Sequence, residues 1–455
     1  MFAPVKRLVV ISASPAGAIA TNILAQEKKF DLIRVFERQE GPGGWGVGGL
    51  CGIGDIERPP TIPNLPALAT RAADAPVPIP KSLPAQTPKL DRPRFTEPSV
   101  YPYLETNVND TALQFSQEPI PDEGSEWSVS IHGPNTPFCH CMVMKRYITS
   151  LFERHGYGDM VSYNTTVEFA EKIGTEWKVK LRREGNESDY WWVEWLDAVV
   201  VASGHFWVPY IPAIEGLEGF GESGVGESGV GESGPGGVVH SKHFRGRDLF
   251  REKRVVVVGA SVSAVDVAVD LASTKTASLP VHAIVWGAQL QLHLVDEAPF
   301  RMLITSSSEP DTAGPSPFYR RSQSETNRVP GLYQHVVWHQ DPTLLFVGAV
   351  GRRATLPPVE EMRRWEEDRV KVQGDGAKFT LVYPDFEDYF ETLRRLAGEG
   401  EKGVGRKLPK FRREWVRAFM EGHDLRKETW RRLDAERRSE EAEENSSIFI
   451  AKGHK

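Results

Sequence analysis

Two strand-turn-helix units, far apart in the chain and each marked by a glycine in its turn, constrain this sequence more than any other feature. The first passes from the apolar run Leu8 to Ile11 through Ser12, Ala13, Ser14, Pro15, Ala16 and Gly17 into a helix from Ala18. It then enters a strand, Leu32 to Phe36, that stops at Glu37. The second passes from Val255 to Val258 through Gly259, Ala260, Ser261, Val262, Ser263 and Ala264 into a helix whose Val265, Val267, Ala268 and Leu271 can face a sheet. The strand Val281 to Val285 comes next. A helix that starts directly after such a turn presents backbone N–H groups and the positive end of its dipole to an anion. Both units therefore predict parallel βαβ folding with a pyrophosphate cradle at the turn, and two cradles in one chain predict a flavin and a nicotinamide dinucleotide. A βαβ unit that binds no nucleotide gives the same pattern, so the turns alone leave that alternative standing.

The glycines are sparser than a GxGxxG pattern asks. Ser12 and Ser14 stand where glycines are expected and Gly17 is kept; in the second turn Gly259 is kept while Ser261 and Ala264 replace the others. The middle glycine lets backbone and phosphate approach with no Cβ between them. Ser14 and Ser261 thus either push the phosphate outward or hydrogen-bond it through their hydroxyls. Glu37 follows Gly17 by 20 residues, the spacing at which a carboxylate meets ribose hydroxyls, and it would repel a 2′-phosphate; the first site predicts FAD. The second strand is closed by Trp286, where a reader of a 2′-phosphate would offer arginine, so the residues do not separate NADPH from NADH.

A chain of 455 residues has room for two or three domains. A net charge of −7 with no basic block argues against nucleic acid as a partner, since phosphate binding needs clustered Lys and Arg. Three cysteines make no disulfide framework and suit a reducing compartment. Lys6 and Arg7 precede only a short apolar run, and no segment approaches the ~20 apolar residues that cross a bilayer. A cytoplasmic protein without a membrane span is expected. Cys139, His140 and Cys141 are adjacent, and neighbours on a strand point to opposite faces, so no metal is expected there.

Elsewhere, Gly41 to Gly54 is glycine-rich and Pro59 to Pro102 proline-rich, and both are expected to wrap the surface of the first domain. A helix is expected from Met144 to His155, then strands at Val161 to Thr165, Trp177 to Arg182, Tyr190 to Trp195 and Ala198 to Ala202. Trp191, Trp192 and Trp195 read as sheet packing rather than ligand stacking. Gly221 to Gly237 carries three GESG units, a flexible coil spanning about 20 to 25 Å on average. Helices from Val359 to Val372, Phe386 to Ala397 and Arg412 to Leu433 close the chain; their charged faces read as solvated surface, and the tail after Arg431 is expected to fray.

The stretch from Val199 to Asp270 carries a family resemblance. An FxGxxxHxxxF fingerprint survives as Gly236, His240 and Phe244, with its opening phenylalanine displaced to Phe220 by the GESG insertion. Ser203, Gly204 and His205 with Pro209 and Pro212, Ser263 with Asp266, and Thr106, Asn107 and Val108 also match. The chain thus resembles the flavin-containing (dimethylaniline) monooxygenases, most closely their fungal members, over most of residues 1 to 300. The terminal Phe244 favours this family over Baeyer–Villiger enzymes, whose pattern ends in tryptophan. Gly43, Gly44 and Trp45 resemble the family's GGxW flavin loop, with the tryptophan one position early.

The resemblance implies an α/β fold of two Rossmann-like dinucleotide-binding domains, the NADP domain inserted into a discontinuous FAD domain, with divisions at 1–211, 212–328 and 329–455. It implies FAD and NADPH as cofactors, and transfer of one oxygen atom of O2 to a soft nitrogen or sulfur nucleophile through a flavin C4a-hydroperoxide. Asn107 becomes the catalytic candidate, its amide donating to the oxygen without a charge that titrates near neutrality. The cofactor-binding candidates are Ser12, Ser14, Pro15, Ala16, Gly17, Glu37, Arg38, Gly44, Trp45, Thr106, Val167, Ser203, Gly204, Gly259, Ser261, Val262, Ser263 and Ala264. His240 reads as an interdomain residue rather than an acid–base group. The sequence departs from the family after His293. Ser306 to Arg328 is polar with no apolar strand, and Leu344 to Val350 looks like the closing flavin-domain strand, but Pro357 and Pro358 block the helix expected beyond it. A flavoprotein reductase or oxidase, or a non-catalytic nucleotide-binding relic, therefore remain as alternatives.

Overall fold

Residues 4–43, 77–90, 99–204, 237–259, 262–274, 276–286, 301–305, 332–341, 343–347, 357–374, 385–396 and 409–452 are described by the computed structural model of the protein. Gly44, Trp45, Ser261, the GESG repeats and the 306–328 stretch lie outside the described residues.

The first unit is β1 (Arg7–Ile11), α1 (Pro15–Gln26) and β2 (Leu32–Phe36). Next come β3 (Ala85–Pro88), α2 (Asp110–Leu113), α3 (Glu126–His132) and α4 (Cys141–Glu153). Strands β4 (Val161–Ser162), β5 (Thr165–Ile173), β6 (Glu176–Arg183), β7 (Ser188–Leu196) and β8 (Ala198–Val201) succeed them. The second unit is β9 (Arg254–Val258), α5 (Val262–Ser273), β10 (Ser278–Trp286) and β11 (Arg301–Thr305). The chain closes with β12 (Leu332–Tyr333), β13 (Val337–Trp338), β14 (Leu344–Phe346), α6 (Val359–Gln373), α7 (Phe386–Leu396) and α8 (Arg413–Lys452).

Three sheets result. The largest has the order β12-β13-β14-β8-β1-β2-β4, with parallel pairing from β14 to β4 and an antiparallel β12-β13 edge. The second, β11-β10-β9, is wholly parallel, and the third, β3-β7-β6-β5, is antiparallel. The chain leaves the first sheet after β8, builds the second, and returns through β14 beside β8, with Leu344 paired to Val199 and Phe346 to Val201. The second βαβ unit is therefore inserted into the first, and the apolar run at Leu344 supplies the strand, β14, that returns the chain to the first sheet.

Alternation along β1 explains the layering. Leu8 and Val10 pack with Ala18, Ala20 and Leu24 of α1 and with Tyr147, Ile148 and Leu151 of α4. Val9 points to the other face and packs with Phe36, Trp177, Val179 and Leu181 beneath the antiparallel sheet. A strand buried on both faces is what a parallel sheet demands, and each such side chain contributes about 1.5–3 kcal/mol. In the second unit Ala268, Leu271 and Ala272 of α5 pack with Val281 of β10 and with Phe244 of the fingerprint.

Several elements differ from expectation. Helix α1 starts at Pro15 instead of Ala18 because the Ser14 hydroxyl caps it and proline suits the first helical position. The expected strand Val161 to Thr165 breaks at Asn164, whose φ of +52° turns the chain from β4 into β5. The proline-rich stretch contributes an edge strand, β3, paired with β7. Helix α8 runs unbroken to Lys452, well beyond the end expected near Leu433. Trp191 is buried at 1% exposure, whereas Trp195 is 41% exposed. No helix among the described residues is long and apolar enough to cross a membrane.

The β12-β13 edge carries a pH-dependent group. His335 sits in a turn with φ +60°, edge-on to Trp365 of α6 at 5.4 Å. Burial, aided by the positive charge of Arg369, pushes its imidazole down to about 4. The unfolded chain takes up that proton near pH ~6.5, so stability is complete above this value and is lost as pH falls toward the folded value. The ring is partly exposed, so solvent screening limits the loss to about 1–2 kcal/mol. Urea denaturation at about pH 7 and about pH 4.5 is expected to give this difference, and His335→Phe is expected to remove most of it.

Candidate functional site

The first turn lies at the carboxyl ends of parallel strands, where β2 flanks β1 on one side and β8 on the other. That is the switch point at which open parallel sheets bind ligands. Ser12 occupies the first glycine position with φ +88°, a conformation that favours glycine, and is held there by donation from its N–H to Phe36 O at 2.8 Å. Gly17 is irreplaceable in space: a Cβ there would stand 1.8 Å from the carbonyl oxygen of Ser12. Pro15 and Ala16 open the first turn of α1, directly after the end of β1.

The Ser14 hydroxyl turns into the protein. It donates to Ala202 O at 2.6 Å and accepts from Gly17 N at 3.3 Å. The hydroxyl therefore ties the turn to β8 and caps α1 instead of reaching outward. The same bond brings Ser203 and Gly204, the latter at φ +67°, beside the turn. Gly43 N donates to Ala13 O at 2.8 Å, which seats the start of the glycine-rich loop on the turn as well.

Glu37 ends β2 at 2% exposure. One carboxylate oxygen accepts from Ser12 Oγ at 2.9 Å and Ala13 N at 2.6 Å, and the other from Gln39 N at 2.9 Å. A carboxylate has about four acceptor positions, so three are spent bracing the turn and roughly one is left for a ribose hydroxyl. The turn thus fits a pyrophosphate, and its ribose end fits with reduced capacity. Arg38 follows, half-buried, and Val167 lies in β5 against the core beneath the first sheet.

The second turn has Gly259 at φ +128°, its N–H donating to Ile284 O at 2.9 Å. Val262, Ser263 and Ala264 form the first turn of α5. This too fits a nucleotide phosphate at a helix start, and Gly259 has the conformation that only glycine adopts without strain.

Thr106 and Asn107 sit on a third segment. Thr106 N donates to Cys139 O at 2.9 Å and its hydroxyl accepts from Cys139 N at 3.0 Å. Asn109 caps α2 through Thr111 N at 2.9 Å. Asn107 is half-buried, and among the described residues its side-chain amide has no hydrogen-bond partner. No hydrogen bond among the described residues joins it to either turn. His140 caps α4, its Nδ1 accepting from Met142 N at 3.2 Å, while Cys139 and Cys141 are buried free thiols and burial pushes Cys139 up to about 11. Among the described residues no group of His, Cys, Asp and Glu could hold a metal.

A polar cluster that the sequence did not reveal joins the third segment to the second unit. Tyr103 donates to Asp270 at 2.6 Å, Arg247 stands 3.3 Å from Asp270 and over the Tyr103 ring, and Tyr101 meets Phe244 edge-on at 5.0 Å. Burial raises the carboxyls of Asp266 and Asp270 despite the arginines beside them. The available signal was two acids four residues apart on an otherwise Val- and Ala-rich helix.

Comparisons with known proteins agree with this arrangement. The family profile described as flavin-binding monooxygenase-like matches residues 97–306. The chain is 26% identical over 341 residues to the flavin-containing monooxygenase ustF1 of Aspergillus flavus, covering 67% of this chain and 74% of that protein. It is 30% identical over 170 residues to the trimethylamine monooxygenase of Pelagibacter ubique, covering 37% of this chain and 33% of that protein. The solved S-allyl-L-cysteine S-oxygenase of Allium sativum has the same fold, with a TM-score of 0.60 at 18% identity over 96% of this chain and 99% of its own.

Proposed function

We propose that the chain, whose residues 97–306 match the flavin-binding monooxygenase-like profile and which is 26% identical over 341 residues to a fungal flavin-containing monooxygenase, is an FAD- and NADPH-dependent monooxygenase of that family acting on a soft nitrogen or sulfur nucleophile. One oxygen atom of O2 goes to the nucleophile; the other leaves as water, taking up the equivalent of a hydride from NADPH and one proton from solvent. The observation that carries the reading is the pair of turns, Ser12 at φ +88° and Gly259 at φ +128°, each at a strand end before a helix and each in a separate parallel sheet. The relatives' names supply the substrate class, one a trimethylamine monooxygenase and one an S-oxygenase of a thioether amino acid.

When bound, FAD supplies the chemistry that divides O2 between substrate and water. The chain's own residues bind and orient. Ser12, Ala13, Ser14, Pro15, Ala16 and Gly17 would hold the FAD pyrophosphate, with Glu37 at the ribose and Arg38, Gly44, Trp45, Val167, Ser203 and Gly204 around it. Gly259, Ser261, Val262, Ser263 and Ala264 would hold NADPH. Asn107, whose amide is uncommitted among the described residues, would donate a hydrogen bond to the reacting oxygen, with Thr106 fixing its backbone. Residues 1–211 and 329–455 would form the FAD domain and 212–328 the NADP domain.

A second reading, a nucleotide-binding relic, draws support from Glu37, most of whose acceptor capacity is turned into the protein. Purified full-length protein separates the readings. A monooxygenase is expected to be yellow or to take up FAD on titration, and to consume NADPH in step with N-oxide or sulfoxide formed from a tertiary amine or thioether. Colourless protein that ignores FAD would leave the relic, and NADPH consumed without oxygenated product would leave an oxidase.

A further inference from the structure

One face of the long helix α8 meets two separate parts of the molecule. At Gly422 it comes so close to Asn109 that a Cβ on Gly422 would stand 3.2 Å from the Asn109 Cβ and backbone N. One turn later Arg426 donates to Asp266 of α5 at 2.5 Å. Thr429 then meets His132 Nδ1 of α3 at 3.1 Å, and Arg432 donates to the carbonyl of Ile131. Residues 422, 426 and 429 share a face by helical spacing, so these contacts form one seam.

The positions that the seam touches matter. Asn109 is two residues from Asn107, and Asp266 lies in the first turns of the helix that starts at the second nucleotide turn. Asp270, four residues beyond Asp266, is held by Tyr103 and Arg247. Helix α5 is therefore tied twice along one stripe, once directly to the 101–105 segment and once through α8 to Asn109. The Arg426–Asp266 pair is largely enclosed, with side-chain exposures of 17% and 21%, unlike the neighbouring Arg432–Glu436 pair at 49% and 53%. Burial raises the Asp266 carboxyl, and the Arg426 guanidinium is the group that offsets this.

We propose that Arg426 is a positioning residue: through the α8 seam it locks helix α5 against the segment bearing Asn107, and so fixes where the nucleotide at the second turn stands relative to Asn107. The last clause rests on the function proposed above; the mechanical lock does not. Gly422 is part of the device, because a larger residue would push α8 off Asn109 and draw Arg426 away from Asp266.

Hydrogen exchange followed by mass spectrometry on the full-length protein without nucleotide tests the lock. Arg426→Ala is expected to speed exchange about tenfold in residues 262–273 and 104–113 together, while residues 7–26 stay as in the parent. The reversed pair Arg426→Asp with Asp266→Arg is expected to return both regions to within about threefold, and Arg426→Lys, which keeps charge but loses the fork, to fall between. Arg438→Ala, on the same helix and away from the seam, should change neither region. Exchange that rises only around residue 426, or equally throughout the chain, would overturn the lock. On FAD-loaded protein, NADP+ should bind about tenfold more weakly to Arg426→Ala with FAD affinity within about twofold. Parallel losses of both affinities would also overturn it. If the parent protein binds no NADP+, the functional reading of the second turn fails, and the exchange result still decides the lock.

Discussion

Gly17→Ala is expected to yield protein without flavin and with folding stability lowered by roughly 3 kcal/mol or more. The added Cβ would stand 1.8 Å from the Ser12 carbonyl oxygen and 2.9 Å from its carbon, both backbone atoms. Relief would require the turn to move, and the turn is tied on three sides: Ser12 N to Phe36 O, Ala202 N to Ile11 O, and Ser14 Oγ to Ala202 O. Ser12, already at φ +88°, has little conformational freedom left to give. Gly41→Ala is the matched control, because its Cβ would meet nothing within 4 Å. FAD titration with denaturant melts of both variants checks this. A Gly17→Ala protein that binds FAD like its parent would mean that the turn does not have the geometry on which the first nucleotide site depends.

The parts of this site that could be read in the sequence are those set by neighbours in sequence. A turn between an apolar run and a helix places Gly17 and Gly259 whatever surrounds them, and the helix and strand between bring Glu37, 20 positions after Gly17, back to the turn. The closing strand at Leu344 was likewise visible as a short apolar run. The direction of the Ser14 hydroxyl was not, because its partner, Ala202, is 188 residues away. The same holds for Arg426: an arginine on a charged helix reads as solvated surface, and only the docking of α8 on α5, 160 residues away in the chain, gives it an acid. Strand β3, with the sequence AQTP, lacks any apolar alternation and exists because β7 offers it an edge. Short helices α2 and α3 depend on caps at Asn109 and Ser125 more than on periodicity.

The antiparallel sheet that covers the far face of the first dinucleotide unit depends on one buried cation. Arg182 on β6 is 1% exposed and donates from Nε to Glu168 at 2.8 Å, from Nη1 to Asp189 at 3.0 Å and from Nη2 to Glu184 at 2.8 Å. Glu168 and Asp189 are themselves 4% and 0% exposed, so the guanidinium is what makes their burial tolerable, and Asp189 also accepts from Leu90 N next to β3. Arg182→Ala is expected to cost about 3–5 kcal/mol, because it leaves carboxylates buried without a counter-charge. The cost should shrink as pH falls through the carboxylate range, since protonation neutralises the stranded acids in the folded state. Adding Glu168→Gln and Asp189→Asn to Arg182→Ala should recover most of the loss at neutral pH, because a neutral buried set carries no such charge penalty. Guanidinium denaturation of the single and triple variants decides the matter. If the triple variant is as unstable as the single, the cost lies in lost packing of Arg182 against Trp191, 5.9 Å away, and the ion cluster is not what holds strands β5, β6 and β7 together.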